Sequence, residues 1–218
     1  SFATFPALLP TFRGLWSLSN TEAGWISSAY YLGYLVGVPL LTAWTDRLDA
    51  RRIVLWFTVL GGASSRVFAL LADGLASAIA LRFLGGLGLA GTYMPGLRLV
   101  ADRAEGATQS RMVALYTASF SAGASLSYLI AGEIAAFGGW RLAFGLSAVG
   151  SLAAFALVAA FVPAAPVAPA SAGSAFSTFD VRPVLRRPAT MAYVLGYAAH
   201  MWELFAVRAW IVAFLAWC

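Results

Sequence analysis

The sequence is poor in the residues from which most enzyme sites are built. It has one cysteine, Cys218, and one histidine, and only 11% of its residues are charged. A single cysteine excludes a disulfide within the chain and a metal site made of several cysteines. The sequence also gives no support for a Ser/His/Asp catalytic triad, because it has one histidine and no polar segment long enough to form a soluble catalytic domain. We therefore expect neither an enzyme nor a bound cofactor or metal.

Lysine is absent, so all fourteen basic residues are arginine, and with nine acidic residues they give a net charge of +5. Proteins that bind nucleic acid also carry positive charge, but they cluster it on one face and interleave aromatic residues. The arginines here are scattered between apolar segments. We therefore expect no nucleic acid as a partner.

Long apolar runs make up most of the chain, which is 61% hydrophobic with a mean hydropathy of +0.81. Runs of about 20 residues match the helix that crosses a ~30 Å hydrocarbon core, which predicts an all-α, polytopic membrane protein with about seven spans in the lipid bilayer. The chain begins without methionine and ends in an apolar run, so the first and seventh spans are expected to be truncated. The predicted spans cover residues 1–9, 23–44, 53–71, 76–100, 112–137, the stretch from the turn at 138–141 to 162, and 189 onward.

A charged stretch at 45–52 separates the second and third spans and is predicted to be a short polar turn. Arginines in alternate loops fix its side of the membrane, because cytoplasmic loops are rich in them. The loops on the side of this turn hold eight arginines, and the opposite loops hold two, Arg13 and Arg141. We therefore predict that residues 45–52 are cytoplasmic.

A change in composition after the sixth predicted span marks a domain boundary. Residues 163–176 are rich in proline, alanine and serine, a composition that favours a linker over a packed core. The predicted organisation is a six-helix bundle over 1–162, a cytoplasmic linker over 163–188, and the start of a second bundle over 189–218. The alanine-rich, all-arginine composition is typical of a bacterium with GC-rich DNA.

The charged turn carries a recognisable motif. Asp46, Arg47, Arg51 and Arg52 match the charged positions of the pattern G-x-x-x-D-R-x-G-R-R. The chain departs from it where Thr42 replaces the first glycine and where Asp49 and Ala50 stand in place of one glycine. With its six spans, linker and seventh span, the chain resembles the major facilitator superfamily of secondary transporters.

Two further features strengthen the resemblance. Arg82 is followed by spaced glycines, similar to the superfamily's fourth helix, and Gly139, Trp140 and Arg141 with Phe144 are similar to the turn before its sixth helix. The proline that the superfamily's drug antiporters carry in the fifth helix is missing from 123–132, which counts against drug export.

The resemblance implies an alternating-access transporter of a small solute, monomeric at full length, in a bacterial inner membrane. In the superfamily the charged turn holds the two halves together in the outward-open state; Asp46 and Arg51 are the expected participants, with Arg47 and Arg52 as topological anchors. An anion or zwitterion is favoured as substrate over a cation, with protons as candidate coupling ions. Efflux of drugs or metabolites is the alternative, and a non-transporting membrane sensor or a membrane-embedded enzyme is the alternative of another class.

Charged residues inside spans are costly and therefore candidates for function. At ~1.5 Å per helical residue, Arg82 and Glu133 are both expected near the outer third of the membrane, where they could form a partly buried ion pair. Such a pair could bind substrate or relay a proton, or it could only brace two helices. Arg66 is expected to be buried at a similar depth. Arg98 is expected to pair with Asp102, one helical turn further on.

His200 and Glu203 are the candidates in the seventh span, one turn apart and close to the predicted middle of the membrane, where transporters of this kind bind substrate. Histidine titrates near neutral pH, so the two residues could couple protons to transport. Alternatively, His200 is only a hydrogen-bonded residue and Glu203 pairs with Arg208. The glycines of the fourth span are predicted to allow close helix packing rather than to cradle a phosphate. Asn20 or Thr21 is predicted to cap the second span.

Overall fold

The computed structural model describes residues 2–164 and 182–218. Over these residues the chain is helical without a strand, as the apolar runs predict. Of the predicted linker, residues 165–181 lie outside the described residues. The helices are α1 (Thr4–Ala7), α2 (Leu9–Leu15), α3 (Asn20–Trp44), α4 (Ala50–Leu71), α5 (Leu75–Ala101), α6 (Gly106–Phe161), α7 (Arg182–Leu185) and α8 (Pro188–Trp217).

Five of the described helices, α3, α4, α5, α6 and α8, are long and apolar enough to cross a membrane. The longest, α6, is broken at Gly139, whose φ of 78° and ψ of 170° are not helical. A left-handed φ favours glycine, which has no Cβ to clash with the backbone. The break divides α6 into two arms, 106–138 and 140–161, each long enough for a ~30 Å hydrocarbon core. It falls within the turn predicted at 138–141.

The first helical segment continues further than the sequence predicts. The predicted span ends at Leu9, but α2 starts there and continues to Leu15. Pro10 lies in the first turn of α2, where a helix has no backbone N–H bond for proline to remove. The proline therefore marks the start of a second short helix, not the end of the segment.

The cap of α3 is Ser19, not Asn20 or Thr21. The Ser19 hydroxyl accepts a hydrogen bond from the backbone N–H of Glu22 at 3.2 Å, and the Glu22 carboxylate accepts one from the backbone N–H of Ser19 at 2.8 Å. This reciprocal capping box satisfies two backbone donors at once. Both predicted caps lie within the first turn instead.

Glycines bring α3, α4 and α5 into backbone contact. A Cβ on Gly86 of α5 would collide with the carbonyl oxygen of Tyr30 on α3, and one on Gly33 would collide with that of Phe83. A Cβ on Gly88 would lie 2.7 Å from the Cα of Gly61 on α4. Small residues allow this approach in membrane helices. The predicted packing role of the glycines is confirmed.

A cluster of aromatic rings joins α2, α4 and the second arm of α6. Phe68 stacks on Phe144 with ring centroids 4.1 Å apart, and Phe12 lies 5.2 Å from Trp140. Phe12, Phe68 and Phe144 are fully buried. The cluster fixes the second arm of α6 against α4, next to the break at Gly139.

Helix α8 packs on α1 and α2 but leaves most of its surface exposed. Aromatic side chains of α8 also reach α3: Phe205 lies 4.6 Å from the ring of Tyr31, and the Trp210 ring lies against Gly24. Exposed apolar side chains are also common on α3, α4 and α6, as a lipid environment allows.

Candidate functional site

Arg82 of α5 is buried inside the helix bundle with 4% of its surface exposed. The central carbon of its guanidinium lies 4.1 Å from the ring centroid of Tyr30 and 5.5 Å from that of Phe5. Its Nη2 donates a long hydrogen bond, 3.5 Å, to the carbonyl oxygen of Phe2. Contacts of a guanidinium with aromatic faces offset part of the cost of removing it from water. The bundle thus holds a cation among aromatic rings.

A second arginine, Arg208 of α8, lies on the same group of residues. Its guanidinium carbon is 6.0 Å from the ring centroid of Phe2, the residue whose carbonyl oxygen faces Arg82. Its side chain makes no hydrogen bond or ion pair with residues 2–164 or 182–218. The Tyr128 hydroxyl of α6 donates a hydrogen bond to the backbone carbonyl oxygen of Arg208. Two positive charges from α5 and α8 therefore share one neighbourhood.

Aromatic rings from several helices surround this neighbourhood and touch one another. Phe2 lies 5.9 Å from Phe120, which lies 4.8 Å from Tyr93. On the other side, Phe2 lies 6.4 Å from Tyr31, which contacts Phe205 of α8. We call these rings the aromatic wall. Its members are Phe2, Tyr30, Tyr31, Tyr93, Tyr116, Phe120 and Phe205.

The predicted ion pair between Arg82 and Glu133 is wrong. Glu133 is exposed, and the ion pairs among the described residues join Arg98 to Asp46 and to Asp102. The depth estimate placed the two residues at one level but could not tell which way each helix turns its side chain. Arg66 was expected to be buried and is exposed as well.

His200 and Glu203 are both exposed on α8. They are three positions apart, so they share one side of the helix. Neither makes a hydrogen bond or ion pair with a residue that the structure describes, and Glu203 does not pair with Arg208. The structure therefore does not bring them together with Arg82.

The charged turn at 45–52 is anchored to α5 by Arg98. Its Nη1 donates to the Asp46 carboxylate at 2.6 Å and to the Thr45 hydroxyl at 2.6 Å. The predicted pair with Asp102 is confirmed, with Nε 3.4 Å from the carboxylate. Arg98 thus connects the turn to the end of α5, a role that the sequence spacing to Asp102 did not indicate.

Asp49, one of the residues that depart from the charged motif, has a structural role. Asp49 is the N-cap of α4, and its carboxylate accepts a hydrogen bond from the backbone N–H of Arg51 at 3.0 Å. The Arg51 side chain donates to the carbonyl oxygen of Ala159 at 2.8 Å, near the end of α6. Arg47 and Arg52 are exposed. Asp49 therefore starts α4 where the resembling pattern has glycine.

No group of three or more histidine, cysteine, aspartate or glutamate side chains is placed to hold a metal ion within 2–164 and 182–218. The chemical groups that converge in the bundle are guanidinium and phenol groups. They can bind an anion or stack on a ring.

The sequence matches the family model of the Major Facilitator Superfamily over residues 1–218. The chain belongs to this superfamily. Membership agrees with the charged turn, the glycines after Arg82 and the helical bundle. It also makes the chain part of an integral, multi-pass membrane protein.

Several curated relatives carry transporter names. The niacin transporter NiaP of Acinetobacter baylyi is 27% identical over 129 residues, 59% of this chain and 29% of that protein. The putative uncharacterized transporter YgaY of Escherichia coli is 30% identical over 146 residues, 65% of this chain and 36% of that protein. The probable sphingolipid transporter spinster homolog 1 of Arabidopsis thaliana is 27% identical over 152 residues, 67% of this chain and 29% of that protein.

The matched region spans about a third of the length of these relatives, between 29% and 36%. The family and the names of the relatives point to a transporter and not to an enzyme.

The sequence singles out Arg82 as a candidate site residue, but it names Arg208 only as a possible partner of Glu203. One feature of the sequence does point to Arg208, which is the only arginine in the seventh predicted span.

Proposed function

We propose that the protein is a secondary transporter that moves a small organic anion by alternating access. The observation that carries the proposal is Arg82, 4% exposed and surrounded by the rings of Tyr30 and Phe5. A guanidinium does not lose its proton in proteins, so the bundle keeps a positive charge that attracts an anion. The same charge repels a cation.

The relatives supply a first substrate to test. The Acinetobacter baylyi protein is named as a niacin transporter. Niacin is a pyridine carboxylic acid whose carboxyl group is ionised at neutral pH, so it has the charge that Arg82 favours. Nicotinate is therefore our first candidate.

The Arabidopsis thaliana relative favours a second candidate function, since it is named as a probable sphingolipid transporter. Export of an amphiphilic metabolite would agree with the efflux alternative. The missing proline at 123–132 supports uptake over drug export. The direction of substrate movement in vesicles of known orientation separates the two functions.

Protons are the proposed coupling ions, taken up by His200 and Glu203. Both are ionisable, and both lie on α8 about midway between its ends. Exposed on this chain, they are accessible to water or to further helices of the complete protein. Ionisable groups at membrane depth often form proton pathways.

The charged turn is proposed to control the exchange between conformations. Arg98 and Asp46 connect the turn to α5, and Arg51 connects the start of α4 to the end of α6. Together these contacts tie the cytoplasmic ends of four spans. We propose that they stabilise the outward-open state, with the complete protein a monomer in a bacterial inner membrane.

Counterflow in proteoliposomes tests the proposed function. The complete protein that contains residues 1–218 is reconstituted into vesicles preloaded with unlabelled nicotinate, and entry of labelled nicotinate is followed. A transporter exchanges the two pools without an imposed gradient. Entry no faster than in protein-free vesicles, for nicotinate and for other small organic acids, would refute anion transport.

A further inference from the structure

We infer that the site takes an aromatic carboxylate, held between Arg82 and Arg208 with its ring against the aromatic wall. The inference rests on the proposed function and specifies its substrate class and a second binding residue. Its basis is that arginines from α5 and α8 both contact Phe2, one at the carbonyl oxygen and one at the ring.

The charges argue for an anion at this point. Arg82 and Arg208 carry like charges, which repel each other when brought into one weakly hydrated region. A carboxylate has two oxygen atoms and can accept hydrogen bonds from two guanidinium groups. An anion between the two arginines therefore converts a repulsion into two attractions.

The lining argues for an aromatic ring on that anion. Phe2 contacts both arginines, and its arrangements with Tyr31 and Phe120 are edge-to-face and tilted. These are the arrangements that aromatic rings prefer, and a flat ligand ring can make them with the same partners. An aliphatic acid carries the same charge but cannot make the ring contacts.

Two phenol hydroxyls, those of Tyr116 and Tyr128, are less suited to a sugar or another polyol. The Tyr116 hydroxyl donates to the carbonyl oxygen of Tyr93 at 2.9 Å, and the Tyr128 hydroxyl donates to the carbonyl oxygen of Arg208. These donors are already engaged with the backbone. The two positive charges and the ring faces are therefore the features that we expect a ligand to contact.

A ligand bound by both arginines would connect two helices that lie far apart in the sequence. Arg82 belongs to α5, and Arg208 belongs to α8, which follows the predicted linker. A carboxylate bound by both connects helices on the two sides of the linker. Binding would thus favour the conformation in which α5 and α8 are close.

Binding of three matched ligands tests the inference. Labelled benzoate is bound to the purified complete protein and displaced by cyclohexanecarboxylate, which has the charge without the aromatic ring, or by benzamide, which has the ring without the charge. We expect both competitors to bind about tenfold or more weakly than benzoate, because each lacks one of the two kinds of contact. Equal binding of benzoate and cyclohexanecarboxylate would overturn the inference.

Two pairs of variants locate the contacts. Arg208→Gln should weaken benzoate binding by about tenfold to a hundredfold, the loss of a charge-assisted hydrogen bond, with Arg208→Lys in between. Arg111→Gln, an exposed arginine of α6, is the control and should leave binding unchanged.

Phe120→Leu should reduce the preference for benzoate over cyclohexanecarboxylate, whereas Phe137→Leu, 91% exposed on the same helix, should not. Unchanged benzoate affinity in a folded Arg208→Gln protein would contradict the role of Arg208.

Failure of the inference can be told from failure of the proposed function. If inorganic phosphate or an aliphatic acid is bound and transported with dependence on Arg82, but benzoate is not preferred, the inference fails and anion transport stands. If the protein transports no anion, both fail. Thermal melting of each variant shows that loss of binding does not come from unfolding.

Discussion

Gly86 decides how closely α5 approaches α3. The carbonyl oxygen of Tyr30 occupies the place where a side chain at position 86 would begin. Tyr30 also supplies a ring to Arg82, with the guanidinium carbon 4.1 Å away. The spacing of the two helices and the environment of Arg82 therefore depend on the same contact.

Gly86→Ala should destabilise the protein because the added methyl group meets backbone atoms that cannot rotate away. We expect a loss of about 1–3 kcal/mol, typical of overpacking, measured by thermal melting in detergent. Gly132→Ala is the matched control, since a Cβ there meets nothing within 4 Å. A melting temperature of Gly86→Ala equal to that of Gly132→Ala would contradict the close contact between α3 and α5.

Glu203 is the residue on which proton coupling depends in the proposed function. Glu203→Gln keeps the size of the side chain and removes its ionisation, so uptake should lose its dependence on an imposed pH gradient. Counterflow needs no gradient and should continue. Uptake measured from pH 5.5 to 8 tests this, and an unchanged proton dependence in Glu203→Gln would rule out the coupling role.

At the scale of whole elements, the charged turn at 45–52 connects three helices. Asp46 follows α3, Asp49 caps α4, and Arg98 lies in the last turn of α5. The side chains of Arg98 and Asp46 are 39% and 55% exposed, so water screens their attraction. Exposed pairs contribute only ~0.2–1 kcal/mol. Such a contact suits a switch better than a permanent brace.

Asp46→Asn should therefore alter transport kinetics more than stability. We expect transport to slow by up to about fivefold, in line with the ~0.2–1 kcal/mol of an exposed pair, while substrate affinity is retained. Glu105→Gln, an exposed carboxylate that forms no side-chain cap on α6, is the control. Initial rates and equilibrium binding are measured on the same preparations. Kinetics identical to those of the unmodified protein would reduce the turn to a topological anchor.

At the scale of the whole molecule, the arginine distribution predicts one orientation. Eight loop arginines on the side of the charged turn oppose two on the other side. Reporter fusions at Asp49 and Gly139 should report the cytoplasm and the opposite compartment, respectively. The measurement pairs a phosphatase, active outside the cytoplasm, with a fluorescent protein that folds inside it. Phosphatase activity at Asp49 would reverse the topology.

The sequence was sufficient for the long helices α3, α4 and α5, the break near Gly139 and the pair of Arg98 with Asp102, because each depends on local composition or on residues one helical turn apart. It was insufficient for contacts between distant helices. Depth along two helices suggested that Arg82 meets Glu133, but the rotation of each helix decides which side chains face each other. The contact of Arg208 with Phe2, 206 positions apart in the chain, could not be read from spacing. The cap at Ser19 was missed by one residue because three neighbouring residues are all good caps.

The most direct test of the account is anion counterflow with changes at Arg82. The complete protein should exchange labelled nicotinate or another small organic acid, Arg82→Gln should stop the exchange, and Arg82→Lys should lower it by about tenfold, because an ammonium cannot reproduce the planar fork of arginine. Arg111→Gln serves as the control. Exchange of anions by a folded Arg82→Gln protein at the rate of the unmodified one would contradict the account.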